Sequence, residues 1–111
     1  MLPDFSKPAF SFIALGGLRF RSRDEGAAGG PFRSDYRCQL RYVDDAQQEG
    51  AEARVYFVGQ ETVSAGEGLP IVVAFLDWEG ARARCRLGRQ FELFEGAVVT
   101  ATGIVEAVAS R

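Results

Sequence analysis

The sequence predicts an all-β domain, a closed antiparallel barrel of six or seven strands, on three observations. Apolar and polar residues alternate with a period of two, turn-forming residues punctuate the chain at short intervals, and the most apolar segment has no polar face. The alternation is clearest in Tyr36-Arg37-Cys38-Gln39-Leu40-Arg41-Tyr42, which presents Tyr, Cys, Leu and Tyr on one side and Arg, Gln and Arg on the other. A helix, at 3.6 residues per turn, would scatter those two sets around its circumference.

Further strands are predicted at Ala9 to Phe20, Ala53 to Val58, Ile71 to Trp78, Ala81 to Leu87, Arg89 to Phe94 and Val98 to Val108, most of them rich in Val, Ile, Phe and Tyr. Gly26 to Pro31, Asp44-Asp45, Gly66 to Pro70, Glu79-Gly80 and Glu95-Gly96 separate them with residues that tolerate positive φ or fix a bend. The first strand is long and contains Gly16-Gly17, which predicts a bend. Ile71 to Leu76 is apolar on both sides, which predicts a strand covered on both faces. Closure into a ring accounts for both and removes the unpaired edges of an open sheet.

At 111 residues the chain has the size of one domain. Residues 1–8 read as a loose lead-in and residues 9–111 as a single barrel domain. The composition, 47% hydrophobic and 25% charged, is that of an ordinary globular protein. Ile71 to Leu76 is far shorter than the roughly 20 residues of a membrane-spanning helix. Met1 to Pro8 lacks the basic start and apolar centre of a secretion signal, so a cytoplasmic location is expected. Cys38 and Cys85 match no metal-ligand or redox spacing and are expected to be buried reduced thiols.

The residue inventory excludes much chemistry. There is no histidine, so Ser-His-Asp and Cys-His catalysis are ruled out. The only lysine is Lys7, and no glycine-rich segment ends in Gly-Lys-Ser or Gly-Lys-Thr, so no phosphate-cradling loop is expected. Asp44-Asp45 and the pair Asp77 and Glu79 are the remaining acid-base candidates. Each sits at a predicted turn, where a solvated structural role is expected. The sequence thus predicts no enzyme, cofactor, metal or nucleotide.

Binding is the function class left, and the arginines are its candidates. A net charge of -2 argues against a protein that grips nucleic acid by bulk charge. Locally, however, Arg82, Arg84 and Arg86 alternate with Ala81, Ala83 and Cys85, and Arg37 and Arg41 share a face of their strand. Two rows of guanidiniums are predicted, which form one patch if their strands are neighbours. The alternative is that they solvate outer faces and pair with Asp and Glu across them. Trp78 and Phe94 are either stacking platforms or anchoring aromatics.

Glu25-Gly26-Ala27-Ala28-Gly29-Gly30-Pro31-Phe32-Arg33-Ser34-Asp35-Tyr36-Arg37-Cys38-Gln39-Leu40 resembles the loop and following strand of the third, C-terminal β-barrel domain of translation elongation factor Tu. That pattern runs from a glycine-rich loop through Pro-Phe to Tyr-Arg-Pro-Gln-Phe, with Pro31, Phe32, Tyr36, Arg37 and Gln39 in step. Gly88 to Gly96, continuing into Thr102-Gly103-Ile104-Val105, is similar to the family's closing hairpin. Val63-Ser64-Ala65-Gly66-Glu67 is similar to its Val-x-Pro-Gly-Asp turn. Together the motifs span roughly residues 9 to 108.

This resemblance implies a six-stranded antiparallel barrel, without the GTP-binding domain or second barrel of the factor. In the family the barrel packs on the GTPase domain and helps hold the T stem of aminoacyl-tRNA. Ala28, Gly29 and Gly30 replace the family's Arg-His-Thr, Phe94 and Val98 stand where it has arginines, and Ala101 where it has glycine. Cys38 replaces the proline of the Tyr-Arg-x-Gln strand. Each change at the RNA-facing positions removes a donor or adds bulk. The expected function is a non-catalytic binding module for a protein partner or a second copy of itself. The alternative is a tRNA-binding module using an arginine-rich strand face.

Overall fold

Alternation along the strands becomes inside and outside of a sealed ring. The computed structural model describes residues 12–21, 31–45, 50–75 and 84–110. Their strands are β1 (Phe12–Phe20), β2 (Phe32–Arg33), β3 (Tyr36–Tyr42), β4 (Ala51–Phe57), β5 (Thr62–Val63), β6 (Gly68–Phe75), β7 (Gln90–Glu95) and β8 (Val98–Ser110). Six of them close a barrel in the order β1-β6-β4-β3-β7-β8, with every pair antiparallel. β2 and β5 form a separate two-stranded sheet. No helix among the described residues is long and apolar enough to cross a membrane.

β3 coincides with the predicted strand, and its Tyr36, Cys38, Leu40 and Tyr42 turn inward while Arg37, Gln39 and Arg41 turn outward. The bend expected at Gly16-Gly17 is a bulge, where the β1–β8 register shifts between Leu15 and Gly16. A Cβ on Gly16 would collide with the Ile104 carbonyl of β8, so only glycine permits the strands to meet there. On β6, Ile71, Val73 and Phe75 enter the main core, while Val72 and Ala74 pack with Tyr56 in a second buried cluster. That strand is therefore covered on both faces, as its sequence implies.

The interior is filled by side chains. Phe20, Leu40, Val55, Ile71, Val73, Phe91 and Leu93 are each at most 2% exposed. One end of the barrel is plugged by the β2–β5 sheet, which sends Phe32 and Val63 into the core. The Phe32 ring stacks on Phe20 at 4.0 Å between centroids, and Phe20 meets Tyr36 and Phe57 edge-on. The plug is tied to β4 because the Phe57 N–H donates to the Ser34 hydroxyl at 2.9 Å. At this end the Tyr36 hydroxyl donates to Glu95 and lies 2.9 Å from the Thr100 hydroxyl. Burial, above all, pushes its pKa well above the ordinary phenol value.

Two expectations need correction. β6 begins at Gly68 rather than Ile71; Pro70 is accommodated there, with its carbonyl accepting the Val58 N–H. The strand expected at Ala81 to Leu87 is absent over residues 84–87, where the chain instead turns at Leu87-Gly88 with Gly88 at φ 79°. Hydrogen bonds from the Gly88 N–H to Val105 and from the Arg89 N–H to Arg86 hold this turn. Cys85 drops from it into the core, so the segment closes the end of the barrel opposite the plug. The lead-in, Ala9 to Ser11, the loop at Gly26 to Gly30, Leu76 to Trp78, Glu79-Gly80 and Ala81 to Ala83 lie outside the described residues.

Candidate functional site

Alternating side chains put the charged groups of β3 and β4 on one outer face. Register places Arg37 opposite Arg54 and Gln39 opposite Glu52. These four side chains surround a hollow of about 450 Å³, with the Cys38–Ala53 pair between them. Arg54 is held by Asp35 at 3.0 Å, and Asp35 sits in the turn before β3 at φ 62°, a conformation its short polar side chain tolerates. Arg37 is exposed and forms no ion pair among the described residues. Glu52 and Gln39 likewise make no side-chain bond there.

Arg41 is committed differently. Its guanidinium bonds Glu92 of β7 at 2.6 Å and lies 4.7 Å from the centroid of the Phe94 ring. Phe94 is thus a half-buried anchor on the outer face, packed over Gly50 and Gln39, where a Cβ on Gly50 would strike its ring. Trp78 lies outside the described residues.

Arg84 and Arg86 are exposed, but not as a row on a strand. Their carbonyls accept bonds from Arg89, from its side chain at 2.7 Å and its backbone N–H at 3.1 Å respectively. Arg89 also pairs with Asp44 at 2.8 Å and covers the Tyr42 ring at 4.0 Å. This fixes Arg84 and Arg86 at the Tyr42 end of β3, whereas Arg37 stands at the plugged end. Four residues of strand separate Arg37 from Arg41, about 13 Å. The described candidate arginines are therefore dispersed, and Arg41 is already paired. Arg82 lies outside the described residues.

Of the acid-base candidates, Asp44 is engaged in an ion pair with Arg89. Hydrogen bonding from Arg89 holds the Asp44 carboxyl below the usual carboxylate range, as a structural ion pair requires. Asp77 and Glu79 lie outside the described residues. Both cysteines are free, Cys85 buried and Cys38 half-buried. Burial pushes the Cys38 thiol up to about 12, which keeps it protonated and unreactive at neutral pH. Among the described residues no group of three or more Cys, Asp and Glu side chains gathers to hold a metal.

A second hollow, of about 700 Å³, crosses the outside of β1, β8 and β7 between Gly17, Val43 and Ile104. Gly17 leaves its floor open, and Val43 and Ile104 expose 52% and 39% of their surface at its rim. The residues that sequence reasoning missed are Glu52 and Arg54, opposite β3, and the Asp44–Arg89 pair. Arg54 lies in an alternating segment, so its outward direction was legible; its proximity to Arg37 depends on strand register. No protein-family model matches this chain, and no curated protein matches it.

Proposed function

We propose that the chain is a non-catalytic binding module that takes up a protein partner, or a second copy of itself, on the outside of its barrel. The observation that carries this reading is the filled interior: the central side chains of the ring are at most 2% exposed and, among the described residues, pack together where a substrate chamber would otherwise lie. Recognition then falls to the outer faces and their shallow hollows. The kinship with the C-terminal barrel of elongation factor Tu belongs to the same proposal. Its support is the six-stranded antiparallel ring, together with the positions of the resembling segments. Tyr36 to Leu40 lie on β3, Gly88 to Gly96 run through β7 into its closing turn, and Val63 to Glu67 lead into β6. A cytoplasmic location belongs to the proposal too, and the free cysteines fit its reducing conditions.

RNA is the competing occupant. Arg41 and Arg89 already satisfy carboxylates and cover aromatic rings, so less arginine is free for phosphates than its count implies. The test is chemical crosslinking of the purified chain in cell lysate, with mapping of the crosslinked residues, alongside tRNA titrations at several salt concentrations. The proposal expects protein or self crosslinks at specific outer-face residues and little dependence of any tRNA signal on Arg84 and Arg86. tRNA binding that falls steeply with salt and vanishes on charge reversal of those arginines would replace it with the RNA reading.

A further inference from the structure

We draw no further inference here: the strongest candidate, the hollow outside β1, β8 and β7 with Val43 and Ile104 exposed at its rim, carries none, because nothing in the structure shows what covers it and the carboxylate on its wall, Glu92, is already held by Arg41.

Discussion

Phe20→Ala is expected to cost about 3–5 kcal/mol of folding free energy, the range for removing a large aromatic from a packed core. Phe20 ends β1 with no exposed surface. It stacks on Phe32 of the plug and meets Tyr36 of β3 and Phe57 of β4 edge-on. One ring therefore joins two neighbouring strands of the barrel wall and the sheet that seals its end. Small domains hold about 5–15 kcal/mol in total, so the variant loses a large share of the chain's stability. Urea denaturation measures the effect, with Phe20→Leu as the graded comparison that retains most of the volume. A loss below about 1 kcal/mol for the alanine variant would mean that the ring is not enclosed as described.

Gly16→Ala is the second large effect. The new methyl would be driven into the Ile104 carbonyl, a backbone atom of the facing strand, so β1 and β8 must separate to admit it. A cost of about 3 kcal/mol is expected, at the upper end for overpacking. The neighbouring Gly17→Ala is the internal control. There the nearest atom is the Glu106 carboxylate oxygen at 3.3 Å, the far end of a flexible side chain. Its change should fall within about 0.5 kcal/mol. Thermal unfolding of the two variants side by side separates the readings. Equal behaviour would place the bulge elsewhere than between Leu15 and Gly16.

The contrast between β3 and residues 84–87 shows what kind of information the sequence holds. β3 is legible because its period of two is carried by large side chains. Tyr36, Leu40 and Tyr42 have enough apolar surface to pin one face against the core. The run Ala81 to Leu87 alternates as regularly, but the face opposite its arginines is Ala81, Ala83, Cys85 and Leu87, mostly small side chains, and Leu87, the one large member, is 66% exposed. Such small side chains fill little of a barrel layer, so alternation there does not decide the conformation. β2 and β5 are two residues each, too short to display any period, and become strands only through their pairing with one another.

The candidate site divides in the same way. The outward direction of Arg37 and Arg41 follows from local alternation. Their partners do not, because Glu92 for Arg41 and Arg54 for Arg37 are set by register between strands distant in the chain. The Asp44–Arg89 pair likewise joins two turns that closure brings together. A sequence fixes the direction of each charge more readily than its neighbours, and recognition depends on the neighbours.

The division of the barrel into inner and outer faces depends on the ring being sealed between β1 and β8. Nuclear Overhauser contacts across that seam test this most directly in the isotope-labelled chain. Backbone contacts linking Gly17 to Ile104 and Leu18 to Gly103 are expected, together with contacts from the same β1 residues to Pro70 and Leu69 of β6. Contacts to β6 without any to β8 would describe an open sheet with free edges, and would contradict the closed barrel.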